Sequence, residues 1–301
     1  MIKLEVLLKQ SKKFLKTAKI SIDKEMAPKL IEDLISVKPT EILIDFESQS
    51  PFFYLLVDAL NFCFWNPDED KKITYKHQSG STALGYLIKE KLSSYPELFS
   101  HTNLTRSPDK ILEAVLADAG GELLLKEERI KILKELGKFL KKYNFNEVVR
   151  KFQNQDVNKL ANFIAVKLPY AFGDEIRKRG IKLYFYKKLR LLISDLSMLG
   201  GIPFKNIDKL LVYADYKLPQ VLIHYGILKL PPKIIIRIQN KETIPHKSQE
   251  EIIIRAGTIV SASYIKKATN LSYPEIDYKL WLASKTLTNS LPHHRTLTRF
   301  Y

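Results

Sequence analysis

Apolar residues recur every three or four positions along most of the chain, which is the spacing of an amphipathic helix. The pattern is clear over 130–140, with Lys and Glu on the opposite face, and over 189–199, where Gly200–Gly201 ends it. Shorter stretches at 207–214 and 252–263 repeat the spacing. The sequence therefore predicts helices over all four segments.

Strand patterns are few. Residues 42–44 and 234–238 are short isoleucine-rich runs that we expect to pair as strands, whereas 182–186 is expected to lead into the helix after it. The linker-like stretches 66–81 and 228–248 are unconvincing as domain boundaries. The predicted fold is therefore mainly α with minor β, a single domain over residues 1–301 with room for two lobes.

Residues 52–65 are apolar nearly throughout, which predicts a buried central helix. On such a helix Tyr54, Asp58, Asn61 and Trp65 fall on one narrow stripe, because each residue turns the chain by about 100°. Buried polar groups need partners. Either Asp58 caps or braces a neighbouring helix and Asn61 bonds backbone, or the stripe is one wall of a polar, aromatic pocket suited to a heterocyclic base.

Asp215 follows the short apolar stretch 207–214, and Pro219 is expected to force the chain out of helix at the preceding residue. An Asp at such a turn either braces a helix end or presents its carboxylate. Tyr216 and Gln220 crowd the same turn.

Two further groups carry candidate chemistry. Lys187 and Lys188 open an apolar helix, where a lysine points into a cleft or is simply solvated. The chain end places His293 beside His294, Arg295 and Thr296, and its aromatic and β-branched residues suggest a docked tail. These side chains are either phosphate donors or surface charge on a packed tail.

Composition narrows the function classes. The 49 Lys and Arg against 33 Asp and Glu give a net charge of +16, which favours polyanions but is equally typical of a thermophilic or AT-biased source. A single cysteine, Cys63, excludes an internal disulfide. We find no signal peptide, membrane span, P-loop, dinucleotide fingerprint, serine-hydrolase elbow or metal-ligand spacing. We therefore expect a soluble, cytoplasmic protein without a metal site.

Six collinear motifs resemble those of the queuosine salvage family, the queuosine 5′-phosphate N-glycosylase/hydrolases. They are D-A-L-N-F-C-F-W at 58–65, L-L-L-K-E-E-R-I-K-I-L at 123–133, F-Y-K-K-L-R-L-L-I-S-D-L at 185–196, A-D-Y-K-L-P-Q at 214–220, E-E-I-I-I-R-A-G-T-I at 250–259 and H-R-T-L-T at 294–298. The chain departs from the family pattern at Lys188, 189–190, Lys217, Ile253 and Gly257, and 45–50 matches the family's Asp/Gly-rich turn only loosely. These departures bear on substrate preference more than on the reaction.

The resemblance implies a helical fold akin to helix-hairpin-helix DNA glycosylases. It implies an enzyme that hydrolyses the N-glycosidic bond of queuosine 5′-monophosphate, giving ribose 5-phosphate and queuine, a 7-deazaguanine base salvaged for tRNA modification. No cofactor is expected. The substrate is a small nucleotide, and we expect a monomer with no membrane and no stable nucleic-acid partner.

Asp215 and Lys187 are the candidate catalytic pair. A carboxylate near the anomeric carbon stabilises an oxocarbenium-like state or positions water, by analogy with glycoside hydrolysis. Lys187 is assigned as its charge partner, or as a donor to the phosphate or the departing base.

The candidate substrate-binding residues fall into two groups. Asp58 or Asp45 is expected to accept hydrogen bonds from the guanine-like edge. Asn61 is expected to bond the carbonyl edge of the base, and Phe62, Phe64 and Trp65 to stack on it or shape its pocket, although Phe62 and Phe64 point to the core in the alternative interpretation. Tyr54, on the same stripe, and Tyr216 and Gln220, at the Asp215 turn, are also expected to contact the substrate. The phosphate candidates are Arg255, His294, Arg295 and Lys188.

Two rival functions stay open. A DNA or RNA base glycosylase predicts a continuous basic groove and a steep salt dependence of binding. The sequence shows no clustered basic stripe, which favours a nucleotide substrate. A non-catalytic tRNA-associated, nucleic-acid-binding protein would leave Asp215 dispensable, whereas a hydrolase requires it.

Overall fold

The computed structural model describes residues 3–36 and 45–301, and α-helices dominate this part of the chain. The predicted mainly α class with minor β is confirmed. The α-helices are α1 (Val6–Ala18), α2 (Ala27–Ser36), α3 (Pro51–Ala59), α4 (Ser81–Ser94), α5 (His101–Arg106), α6 (Pro108–Leu116), α7 (Lys126–Leu140), α8 (Phe145–Phe152), α9 (Val157–Lys167), α10 (Pro169–Phe172), α11 (Lys187–Met198), α12 (Lys217–His224), α13 (Pro232–Gln239), α14 (Gln249–Ala268) and α15 (Tyr273–Thr286). The helices predicted over 130–140, 189–199 and 252–263 correspond to α7, α11 and α14.

The strands form two small antiparallel hairpins. In the first, β1 (Thr74–Tyr75) pairs with β2 (Gln78–Ser79). In the second, β3 (Glu175–Lys178) pairs with β4 (Ile181–Tyr184) across a two-residue turn. Both turn residues, Arg179 and Gly180, have positive φ, as a tight hairpin turn requires. The segment 182–186 therefore contributes a strand before it leads into α11.

The strand predicted at 234–238 is wrong, because these residues lie in α13. Pro231 and Pro232 begin this helix, where a proline loses no hydrogen bond. Ile234 and Ile238, one helical turn apart, are buried, while Ile236 is 54% exposed. The isoleucine run is thus an amphipathic helical pattern. The strand predicted at 42–44 lies outside the described residues.

Contacts divide the described residues into two compact units. Unit 1 comprises residues 3–36, 174–190 and 206–297, and unit 2 comprises 45–173, 191–205 and 298–301. The single domain expected over 1–301 stays a prediction, as does the likeness to helix-hairpin-helix glycosylases. None of the helices within 3–36 and 45–301 combines the length and apolar character that a membrane crossing needs.

In unit 1 the core surrounds α14, which is buried along most of its length and contacts α1, α2, α12 and α15. The N-cap of this helix is Ser248, whose hydroxyl accepts a hydrogen bond from Glu251 N at 3.1 Å. Because isoleucine, alanine and glycine occur all round it, every face of α14 accepts a neighbour.

In unit 2, α7 packs closely against α5 and also contacts α6 and α10. Gly137 permits this approach: a Cβ there would lie 2.8 Å from the backbone nitrogen of Thr105. The prediction of one helix over 52–65 is wrong, because α3 ends at Ala59 and residues 61–66 have no regular secondary structure.

The predicted helix at 207–214 is mostly wrong. Only Ile207–Leu210 forms a short 3-10 helix, and residues 211–215 are irregular. Leu211 and Ala214 both have positive φ, which a helix excludes.

Candidate functional site

Asp215 lies just before Tyr216, the residue that precedes α12 in unit 1, and is half-buried. Its Oδ1 accepts hydrogen bonds from the backbone nitrogens of Lys217, at 2.8 Å, and Leu218, at 3.1 Å. Its Oδ2 has no hydrogen bond to the part of the chain that the structure describes. One oxygen therefore braces the start of α12.

Pro219 does not end a helix, contrary to the prediction. It lies in the first turn of α12, where backbone N–H groups have no partner within the helix and a proline costs no hydrogen bond. The irregular segment before Asp215 is held by buried side chains instead. Tyr213 N donates to the Asp277 carboxylate at 2.6 Å, and the Ala214 carbonyl accepts from Arg255 Nε at 3.1 Å.

Lys187 begins α11 and is 5% exposed, and Lys188 beside it is also buried. Their helix is anchored through Arg190, which is fully buried and keeps its charge at neutral pH although burial lowers its pKa to about 9. This guanidinium donates to four backbone carbonyls, those of Leu4, Tyr184, Phe185 and Leu210.

Arg255 lies fully buried in α14, with its guanidinium 4.0 Å from the Phe185 ring centroid. It forms a bidentate ion pair with Asp174, at 3.1 and 2.5 Å. The arrangement does not favour the predicted phosphate role, because the planar fork is already taken by a buried carboxylate.

The prediction of a docked tail is confirmed in unit 1, where His294, Arg295 and Thr296 are buried. The Arg295 carbonyl accepts from Ile244 N at 2.7 Å. Burial lowers the pKa of the His294 imidazole to about 4, so the ring is neutral near pH 7.

Tyr216 and Gln220, two further residues of unit 1 that are predicted to contact the substrate, lie against residues 290–294. The Tyr216 ring centroid lies 4.6 Å from that of His293. Gln220 Nε2 donates to the Leu291 carbonyl at 2.8 Å. These contacts connect the start of α12 with residues 290–294.

Unit 2 contains the other candidates. The Tyr54 hydroxyl donates to the Phe46 carbonyl at 2.7 Å, and burial raises its pKa to about 12. Asp58 lies on the same helix, α3, and is fully buried. Asp45 is exposed and accepts a hydrogen bond from the Tyr86 hydroxyl. Tyr54 therefore holds the backbone at Phe46, and its contact with the substrate stays a prediction.

The predicted four-residue stripe does not exist as such, because Asn61 and Trp65 lie beyond the end of α3. Asn61 is half-buried and Trp65 is 5% exposed. Phe62 and Phe64 are buried beside Arg129, whose guanidinium carbon lies 4.0 and 5.6 Å from their ring centroids. The core placement of these two rings is thus the one observed.

Sequence reasoning missed the buried polar residues Arg129, Asp174 and Asp277. Arg129 lies in the motif 123–133, which was its only signal, and also donates to the Phe62 carbonyl. Asp174 follows Gly173 at the end of α10, where no periodic pattern marks it. Within residues 3–36 and 45–301 no three His, Cys, Asp or Glu form a group able to hold a metal ion. The expected absence of a metal stays a prediction.

Basic residues cluster in the folded chain, although no basic stripe is visible in the sequence. On unit 2, lysines from α7, from the residue Lys142 after it and from α9 line a groove of about 700 Å³. The lysines of this groove, the α7 groove below, are Lys131, Lys134, Lys138, Lys142 and Lys167.

Comparison with known proteins places these residues in a family context. The family model described as Queuosine salvage protein matches residues 45–301. The queuosine 5′-phosphate N-glycosylase/hydrolase of Sphaerobacter thermophilus is 33% identical over 266 residues, covering 83% of this chain and 80% of the relative. The proteins of the same description from Dictyostelium discoideum and Mus musculus are 29% and 28% identical over 261 and 273 residues, covering 83% and 82% of this chain and 77% and 80% of the relatives.

Proposed function

This chain belongs to the queuosine salvage protein family, and we propose that it hydrolyses the N-glycosidic bond of queuosine 5′-phosphate. The reaction releases queuine, for salvage into tRNA modification, and ribose 5-phosphate. The observation that carries the proposal is the carboxylate of Asp215 within the matched region, with one oxygen fixed on the start of α12 and the other without a hydrogen bond to residues 3–36 and 45–301.

Hydrolysis of an N-ribosyl bond passes through an oxocarbenium-like state, in which positive charge develops on the sugar. A carboxylate with a fixed orientation stabilises that charge or takes a proton from the attacking water. A 7-deaza base lacks one ring nitrogen that would otherwise accept a proton, so help from the sugar side matters more. We assign this role to Asp215 Oδ2.

Lys187 is the proposed second catalytic group. Lys187 is the first residue of α11 and is only 5% exposed, so its side chain lies within the protein instead of extending into solvent. Its ammonium group suits three tasks, as charge partner of the carboxylate, as donor to the phosphate and as donor to the departing base.

The substrate-binding assignments rest on side-chain chemistry. For the phosphate, His294, Arg295 and Lys188 stay candidates, and Arg255 is set aside because of its pairing with Asp174. For the base, Asp58, Asn61 and Trp65 stay candidates. We also propose a monomer that acts in the cytoplasm on a free nucleotide, which light scattering and cell fractionation would test.

The test is to incubate the purified protein with queuosine 5′-monophosphate and follow release of the base by chromatography, beside the Asp215→Asn variant. Asparagine keeps the Oδ1 acceptor, so α12 keeps its brace while the negative charge is lost. We expect turnover to fall by about 100-fold or more. Full turnover by the variant would remove Asp215 from the mechanism, and no release by folded wild-type protein would refute the reaction.

A further inference from the structure

Asp174 is connected to the backbone directly before each proposed catalytic residue, once through Arg255 and once through its own carbonyl. Its carboxylate pairs with Arg255, which donates to the Ala214 carbonyl, directly before Asp215. Its own backbone carbonyl accepts the N–H of Tyr186 at 3.3 Å, directly before Lys187. We propose that Asp174 and Arg255 form a positioning pair that sets the backbone at both residues, an inference that rests on the proposed function.

The backbone at both contact points needs such support. Tyr186 has φ +47° and Ala214 has φ +44°, in the left-handed region that side-chain-bearing residues rarely adopt. Strained residues of this kind persist only where the surroundings hold them, and they concentrate at functional sites. The positioning pair holds Tyr186 through its N–H and Ala214 through its carbonyl.

Burial makes the positioning pair rigid. Arg255 is fully buried and Asp174 is 2% exposed, so water does not compete for their hydrogen bonds. The guanidinium is further held against the Phe185 ring at 4.0 Å. A planar fork that binds two carboxylate oxygens and a carbonyl has no equivalent in lysine, which is a single point charge.

This arrangement separates positioning from substrate binding. A misplacement of about 1 Å at a reacting group costs on the order of 100-fold in rate, whereas removal of a phosphate ligand raises KM. A positioning residue therefore changes kcat with little effect on KM.

Steady-state kinetics of Arg255→Lys and Asp174→Asn on queuosine 5′-monophosphate test the proposal. We expect kcat to fall by about 10- to 100-fold, with KM within about threefold of wild type. In an Asp215→Asn background, Arg255→Lys is expected to lower the residual rate by a smaller factor than it lowers the wild-type rate, because the part of its effect that passes through Asp215 is already lost. A raised KM with unchanged kcat would make Arg255 a substrate ligand and overturn the proposal.

Leu30→Ala is the stability control. Leu30 is fully buried on α2, in the hydrophobic core of unit 1, and its apolar side chain makes none of these hydrogen bonds. We expect this variant to lower Tm while its kcat stays within about twofold of wild type at temperatures where it is folded. An equal loss of kcat in this variant would mean that Asp174 and Arg255 act only through stability, and would refute positioning.

Amide hydrogen exchange supplies a readout that needs no turnover. Because Asp215 Oδ1 accepts from the N–H groups of Lys217 and Leu218, a displaced Asp215 exposes both amides. We expect Arg255→Lys to speed their exchange at least tenfold, with no such change in Leu30→Ala. Unchanged exchange would refute the positioning pair, whereas absent turnover by wild type would refute only the proposed reaction.

Discussion

His294 shows how burial sets the charge of a single side chain. The ring is 3% exposed, and burial lowers its pKa from 6.5 to about 4. The nearby Arg255 acts in the same direction, whereas Glu251 favours the charged form without reversing the shift. The folded protein therefore holds a neutral imidazole under conditions in which the unfolded chain is partly protonated.

The consequence is a loss of stability with acidification. Between pH 6.5 and pH 4 the unfolded state binds a proton at this position and the folded state does not, so the free energy of unfolding falls as pH falls. We expect His294 to account for about 2 kcal/mol between pH 7 and pH 5. Urea denaturation of wild type and His294→Gln at both pH values measures it. An equal loss in both proteins would refute the assignment.

Periodicity identified which residues are buried but not what the buried polar ones bind. Arg190 stands where the resembled family motif has glutamine, and nothing around it in the sequence indicated that it donates to four carbonyls. Leu4 and Leu210, two of its partners, lie far from it along the chain. Such contacts depend on the tertiary fold and cannot be derived from local spacing.

Asp215 also stabilises the start of α12, and two substitutions distinguish this capping role from the proposed catalytic role. Asparagine and alanine both remove the carboxylate, but only asparagine keeps the acceptor for the N–H groups of Lys217 and Leu218. We expect Asp215→Ala to be about 1 kcal/mol less stable than Asp215→Asn, because α12 loses its cap, while both are equally slow. Denaturation midpoints and turnover, measured on both, check this. Equal stability would contradict the capping role.

The contact between α5 and α7 gives a prediction that opposes helix propensity. Alanine at Gly137 would gain about 1 kcal/mol of propensity, but its Cβ would lie 2.5 Å from Thr105 Oγ1 and 2.8 Å from Thr105 N. Because a backbone atom moves less easily than a side-chain end, we expect Gly137→Ala to lower the free energy of unfolding by about 1–2 kcal/mol. Urea denaturation measures the change.

Lys138→Ala is the control for this contact, because the exposed Lys138 follows Gly137 on the same helix. Its effect should stay within about 0.5 kcal/mol. A stabilised Gly137→Ala variant would show that α5 shifts away at little cost.

The helices with long periodic patterns, α7, α11 and α14, were predictable from the sequence, but shorter helices and helix ends often were not. The apolar run 52–65 continues past Ala59, yet the chain leaves the helix there, and Cys63, in the left-handed region, donates its N–H to the Tyr301 carbonyl at 3.0 Å. Residues 234–238 were wrongly predicted as a strand. Their β-branched composition was given more weight than their amphipathic helical spacing, which extends over only about a turn and a half. In both segments tertiary contacts decided the outcome.

For the whole molecule, collinear motifs were more informative than charge. Their order along the chain indicated the family, and a family model matches residues 45–301. The net charge of +16 indicated no ligand by itself, and the α7 groove appeared only when folding brought lysines of α7 and α9 together. Helical spacing places lysines on one face, but sequence alone does not show which face stays uncovered.

That groove gives the rival nucleic-acid function a measurable consequence. A protein that binds nucleic acid loses affinity with salt at a slope of about −0.7 to −0.9 per phosphate contacted, so five contacts give a slope near −4 in a log–log plot. A mononucleotide has one phosphate. We therefore expect log kcat/KM for queuosine 5′-monophosphate to fall against log salt with a slope no steeper than about −1. The double variant Lys134→Gln/Lys138→Gln, which removes two charges from the α7 groove, should match wild type on the mononucleotide. The opposite result would be a slope near −4 that becomes less steep in the double variant, together with faster base release from RNA than from the mononucleotide. That result would identify a nucleic acid as the substrate.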